Sequence, residues 1–345
     1  MKAFWGGQFL SYLVKLGDVD EELLALVAGK YISEDLLKYL KYTYDLKLYP
    51  IINREVVGLS EVMIQANVSQ KVSLFDIYYA FNEYPILIVR DVVEQRKAII
   101  DMVVPRGSGE YIKSLEYGLK MGIFQSYNIY SVSDKVLYPP DFSMFDFEEN
   151  FFKVGTSDKR VGIKVNDTLL DIIPDIEDVT LIGLKQTKGK ITLKDMAEIT
   201  GLPFEEVRRH WQEHCSLIVS GYRINLKLQD KIMVNLLIPE GEISDEITKI
   251  PILTTATFTR NGMVWLKFTA QAKNIYEYLN MINKAIKDVD TEFEIYLSPT
   301  HPQYEYNFTA SIPYTRYLGN RKWRYDLEKS RAYLDSLHEK LAIRN

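Results

Sequence analysis

The chain has 345 residues, 47% of them hydrophobic and 26% charged, enough to bury cores for two or three domains. A net charge of −5 argues against a protein that coats nucleic acid nonspecifically. With no long apolar span, no signal-peptide order and a single cysteine, Cys215, the expectation is a cytoplasmic protein with no membrane partner and no intrachain disulfide.

In chain order, Phe9 to Leu16, Val19 to Ala28 and Ser33 to Tyr44 read as three helices, Ser33 being a plausible N-cap. Glu61 to Val68, Leu74 to Asn82, Ile86 to Val93, Lys97 to Val104, Gly109 to Met121 and Ser126 to Val132 then give the order βαββαβ. Ser133 to Lys164, with Tyr138-Pro139-Pro140 and the aromatic-acidic stretch Phe142 to Phe152, reads as a connector that packs by its aromatics.

The same series then recurs. Asp175 to Thr187 reads as a helix interrupted at Gly183, and Thr192, with Asp195 three residues on, caps a second. Gly201 stops that helix, and Phe204 to His214 forms a third with Phe204, Val207 and Trp211 on its buried face. Two short helices around a glycine turn suggest a helix-turn-helix, and Leu217 to Leu228, broken at Ser220-Gly221, suits a wing or linking hairpin. Lys231 to Ile238, a weak helical stretch at Glu242 to Thr248, the hairpin strands Ile252 to Arg260 and Met263 to Ala270 around Asn261-Gly262, the helix Asn274 to Asp288 and the strand Glu292 to Leu297 repeat βαββαβ. Tyr84-Pro85-Ile86-Leu87 and Ile250-Pro251-Ile252-Leu253 lie about 166 residues apart, and other paired elements keep nearly that offset, which implies duplication.

The expected class is therefore α+β, with two helix-turn-helix domains each followed by a ferredoxin-like βαββαβ domain. The expected boundaries are a degenerate helix-turn-helix at 1–58, βαββαβ at 59–132, a connector at 133–174, a helix-turn-helix at 175–230, βαββαβ at 231–298 and a basic aromatic tail at 299–345.

The stretch Ile191-Thr192-Leu193-Lys194-Asp195-Met196-Ala197-Glu198-Ile199-Thr200-Gly201-Leu202, with Val207-Arg208-Arg209 and the step Ser220-Gly221-Tyr222, resembles the leucine-responsive regulator (Lrp/AsnC) family of bacteria and archaea. In the first copy, Pro50-Ile51-Ile52-Asn53 to Gly58-Leu59 occupies the corresponding linker. The resemblance implies a non-enzymatic DNA-binding transcription regulator, with sheets that pair as in a dimer. A tandem chain would pair them within one molecule, and a further homodimer through the sheets is an additional expectation. The turns Glu94-Gln95-Arg96 and Asn261-Gly262-Met263-Val264 depart from the family's effector-site pattern and leave effector binding open; no cofactor is expected.

For DNA, the expected contacts are Lys188, Lys190, Lys194, Arg208, Arg209, His210 and Gln212, although Glu205 and Glu206 lead the reading helix. Tail residues Arg316, Arg321, Lys322, Trp323 and Arg324 interleave cations with aromatics and offer an alternative interface, on the same duplicated fold, for RNA, a ribosome or a protein partner, or else an amphipathic segment packed on the second sheet. His210-Trp211-Gln212-Glu213-His214 fits H-x-x-E-H, a distant zinc-hydrolase alternative with Glu213 as base and Glu277 as a nominated third ligand. With four histidines, one cysteine and no phosphate-binding glycine loop, no catalytic residue and no metal are expected.

Overall fold

A computed structural model of the protein describes residues 9–10, 12–19, 30–141, 144–146, 148–149, 151–157, 160–165, 171–227, 230–287, 294–299 and 306–343. The expected helix Val19 to Ala28 lies almost wholly outside them. The first half comprises α1 (Lys30–Thr43), β1 (Lys47–Ile52), β2 (Leu59–Val68), α2 (Leu74–Ala80), β3 (Pro85–Arg90), β4 (Lys97–Pro105), α3 (Glu110–Lys120) and β5 (Phe124–Leu137). Short strands β6 (Phe145–Asp146), β7 (Phe151–Phe152) and β8 (Ile163–Lys164) follow, β6 and β7 pairing so that the buried Phe145 and Phe152 rings meet at 4.9 Å.

The second half contains α4 (Ile176–Lys188), α5 (Leu193–Thr200), α6 (Phe204–His210), β9 (Val219–Asn225), β10 (Lys231–Pro239), β11 (Leu253–Thr259), β12 (Met263–Gln271), α7 (Ile275–Lys284) and β13 (Glu294–Pro299). The tail adds β14 (Asn307–Thr309) and α8 (Leu327–Ile343). The weak helical stretch near Glu242 is two 3₁₀ turns, Glu240–Glu242 and Asp245–Lys249. Among the described residues no helix is long and apolar enough to cross a membrane.

The protein is α+β, and its antiparallel strands thread twice through one ferredoxin-like order. The first half runs β5-β2-β4-β3 and the second β13-β10-β12-β11. The register repeats too: Met63 faces Asp101 across β2 and β4, as Asn235 faces Lys267 across β10 and β12. Both hairpins carry an irregularity at the same place, between Pro85 and Leu87 and between Leu253 and Thr255. Each follows the proline that marked the repeat in the sequence.

The two sheets are continuous, because β5 runs past its expected end at Val132 to pair with β11. At the other end Val92 donates its backbone N–H to Leu297 at 2.9 Å, and β14 pairs with β3, so the sheet curls towards closure. Strand alternation then separates two kinds of interior. Ile64, Ile100, Leu236 and Leu266 face helices in two apolar cores, while Met63, Leu87, Val89, Ile99, Leu237, Trp265 and Tyr296 cluster between the sheets.

The helical units cross over between halves. Leu13, Leu40 and Leu48 share a core with the second sheet, whereas Val179, Val207 and Ile218 share one with the first. The linkers enforce this crossing: β9 pairs antiparallel with β1, so within the stretch expected as a wing or linking hairpin, Leu217 to Leu228, Val219–Asn225 is a single strand that finds its partner in the first half. Gly183 does not interrupt α4. A Cβ there would lie 2.1 Å from the Tyr314 ring, so the glycine admits close packing by the tail. Helix α8 packs on the first half rather than on the second sheet: Leu334 and Leu337 join its core, Ser330 donates to the Ala80 carbonyl and Tyr333 to Asp76.

Candidate functional site

Between the sheets the strands place charge as well as apolar surface. Glu61 on β2, Asp101 on β4, Lys135 on β5 and Lys267 on β12 are all buried. Lys267 Nζ lies 3.4 Å from Asp101 and 4.2 Å from the Trp265 ring centroid, and Lys135 Nζ lies 3.5 Å from the same Asp101 oxygen. Glu61 pairs with both Arg54 and Lys135. Trp265 donates its indole N–H to Asn235 at 3.1 Å. Arg223 on β9 is exposed and stacks at 5.5 Å over Tyr49, and the protein crowding its guanidinium draws its pKa down.

Three cations, Arg54, Lys135 and Lys267, thus meet two carboxylates, with Arg223 and Lys231 adding positive charge towards the open side. Burial tends to raise the Asp101 pKa, but Lys135, Lys267 and Arg54 outweigh it and hold the carboxyl below its ordinary value. Both lysines reach that one carboxylate and Lys135 also reaches Glu61, so three cations are answered by two carboxylates. Burial lowers Lys135 against the pull of Asp101, and lowers Lys267 to about 7, with Lys135 and Arg223 repelling its proton. Lys231 falls to about 8 by burial and the proximity of Arg223.

Three buried polar atoms of this interior lack a protein partner: Asp101 Oδ1, Asn235 Nδ2 and Thr257 Oγ1. They are neighbours, since Asn235 lies opposite Lys267 and Thr257 opposite Lys135. Unpaired buried polar atoms cost free energy unless water or a ligand meets them. A net-positive interior with unpartnered polar atoms and a lysine drawn to about 7 can hold an anion and exchange a proton with it. Sequence reasoning missed all of these residues.

The expected nucleic-acid residues do not form one free surface. Lys188, Lys194 and Gln212 are exposed, but Lys190 pairs with Asp45 and donates to the Lys41 carbonyl. Arg208 is half-buried, Arg209 lies 3.6 Å from Glu213, and His210 is buried against Asp178 at 2.8 Å. In the tail, Lys322 and Arg324 are exposed, Arg316 reaches Glu83, and Arg321 donates to the Val56 and Ile172 carbonyls. Trp323 is buried and donates to the Val57 carbonyl at 2.7 Å, so its ring is not presented for base stacking. Glu277, nominated as a third metal ligand, is exposed on α7.

No family model and no curated protein matches the chain. It is similar to two solved structures of the siroheme decarboxylase NirDL, one of them in co-complex with an iron-uroporphyrin III analogue. Identity is 11% in both, with TM-scores of 0.48 and 0.49; the alignments cover 98% and 97% of this chain and 99% of each of the others. These are structures of an enzyme, and with them the expected DNA-binding, non-enzymatic transcription regulator is set aside. The side chains expected to read DNA are, in part, already engaged: His210 is buried and Lys190 is ion-paired.

Proposed function

We propose that the protein is an enzyme whose reaction centre is the recess between the two sheets, and that it acts on a small organic polyanion bearing several carboxylates. The observation that carries this is the undercompensated cation set around Asp101, with Lys267 drawn to about 7 beside unpaired polar atoms. Arg223 at the open side attracts and orients a carboxylate. Lys267 accepts or delivers a proton inside the recess, a role for which a pKa near the working pH is the best compromise between protonation and driving force. Asp101 holds the charged form of both lysines, and Trp265 gives Lys267 an aromatic wall.

Trp265 supplies the test, because a ligand that displaces Lys267 from its ring changes the indole emission. Citrate and iron-uroporphyrin III, both polycarboxylates, are titrated into the protein beside uncharged controls. The expected result is saturable binding of at least one polycarboxylate, weakened about tenfold or more in Arg223→Ala and in Lys267→Met. Absence of saturation with every polyanion, or affinities unchanged in both variants, would remove this assignment.

A further inference from the structure

A second constellation lies in the helical unit of residues 175–218, away from the sheet interior. Asp175 caps α4 and Asp178 stands three residues on; each accepts the other's backbone N–H, at 2.8 and 3.0 Å. This reciprocal capping fixes both carboxylates. His210 ends α6, and His214 follows within a π-helical turn, Trp211–Cys215, four residues later on the same side. Such widened turns recur at functional sites. Both imidazoles aim Nδ1 at one fully buried carboxylate: His210 lies 2.8 Å from Asp178 Oδ1, and His214 lies 3.2 and 3.1 Å from its two oxygens. His210 Nδ1 is also 3.6 Å from Asp175 Oδ2, and donor atoms of all four residues lie within 4.8 Å of one another.

We propose that Asp175, Asp178, His210 and His214 bind one zinc-class divalent ion. A tetrahedral ion with bonds of about 2.05 Å separates its ligand atoms by about 3.3 Å; His210–Asp178, His214–Asp178 and His210–Asp175 stand at 2.8, 3.1 and 3.6 Å, and the remaining pairs lie within 4.8 Å. Two neutral imidazoles and two carboxylates balance a dipositive charge, and this mixed N,O set selects zinc and its first-row neighbours over magnesium or calcium. The capping N–H groups are the outer partners that orient the carboxylates. His214 and Asp175 are half-exposed and give the ion its way in, while Asp178 and His210 form the closed side. Bound there, the ion clamps the start of α4 to the end of α6.

The H-x-x-E-H pattern thus acquires a different meaning. Its glutamate, Glu213, is exposed and faces Arg209, and the carboxylates come from upstream on another helix. Cys215 stays outside the set, its sulfur 4.0 Å from Asp178 Oδ1. One contact must yield: Arg209 approaches His210 Nε2 at 3.4 Å, and metal on Nδ1 leaves the proton on Nε2. Arg209, itself exposed, turns to Glu213.

The test uses the full chain, stripped with chelator and titrated with zinc or cobalt. Expected are one equivalent per chain, a higher Tm with zinc, and visible cobalt absorption of four-coordinate intensity without a thiolate charge-transfer band. His214→Ala and Asp175→Asn, at the half-exposed positions, weaken binding about 100-fold or more, whereas Arg209→Ala does not weaken it and Cys215→Ser leaves the cobalt spectrum unchanged. Substoichiometric uptake by the stripped protein, or uptake that persists in the His214→Ala, Asp175→Asn double variant, would overturn the assignment. Neither outcome bears on the recess between the sheets.

Discussion

Lys267→Met isolates the proton chemistry of the recess. Methionine keeps an unbranched stem over Trp265 but removes the charge. Burial places the folded-state pKa of Lys267 at about 7, against 10.5 for an unperturbed lysine. Because the folded value is depressed, the unfolded chain binds the proton more tightly. The penalty is therefore fully present below about pH 7 and fades as pH rises towards 10.5. At about 1.4 kcal/mol per unit, wild type should gain roughly 2.5 kcal/mol relative to Lys267→Met between about pH 6 and about pH 9. Urea unfolding of both proteins across that range measures the difference directly. The wild-type Trp265 emission should also shift with a midpoint near the Lys267 pKa, and the variant's should not. A wild-type minus variant difference that stays flat with pH would mean that Lys267 remains charged throughout, and the acid–base role would fall with it.

Gly58 has φ of +80°, and a Cβ there would lie 2.1 Å from the Arg321 carbonyl oxygen, so Gly58→Ala should lose about 3 kcal/mol or more of unfolding free energy; a loss below about 1 kcal/mol would mean the tail does not press on this turn. Trp323→Phe removes the donor to the Val57 carbonyl and should cost about 1–3 kcal/mol in the same assay, showing that the tail braces the first half. Cys215 is buried and its pKa is raised, first by that burial, so alkylation of the native protein should track global unfolding; rapid labelling under native conditions would contradict the packing around Asp178.

Much of the fold was legible because strand and helix periods differ, and both copies use them cleanly. Leu74 to Asn82 and Gly109 to Met121 gave helices within two residues of α2 and α3, and the Asn261-Gly262 hairpin forms as its residues require. The β9 pairing was not legible, because its partner β1 lies about 170 residues away and neither strand names the other in its local pattern. The charged recess was hidden for a related reason. In sequence Asp101 and Lys267 are single charges flanked by apolar residues and Glu61 follows Ser60, positions that ordinarily point to solvent from one sheet face. Only the second sheet, lying over the first, turns those positions inward. His210 and His214 were visible as a pair, but their carboxylate partner, Asp178, came from a capping position with a sufficient local explanation of its own.

One signal in the chain did connect the duplication to the recess. The offset between the repeat's proline motifs also carries Asp101 onto Lys267, and the register confirms that they hold equivalent places opposite Met63 and Asn235. The two side chains meet across the interface at 3.4 Å. In a symmetric pair of identical units a residue at this position would face its own copy, acid against acid or lysine against lysine, and like charges in a buried site repel. A covalent tandem releases that constraint. One copy keeps a carboxylate, the other a lysine, and the pair gains an internal counter-ion while retaining surplus positive charge from Lys135 and Arg223. The same reasoning applies to Ile99 and Trp265, adjacent on the same faces, where only the second copy carries the aromatic wall. Lys267→Asp would restore the symmetric arrangement of two facing carboxylates; it should raise the Asp101 pKa and destabilise the protein increasingly as pH rises through the range in which both acids ionise. Urea unfolding from about pH 4 to about pH 8 reads that slope. A Lys267→Asp variant whose stability relative to wild type does not decline over this interval would show that the two positions do not confront one another, and the asymmetry would lose its physical cause.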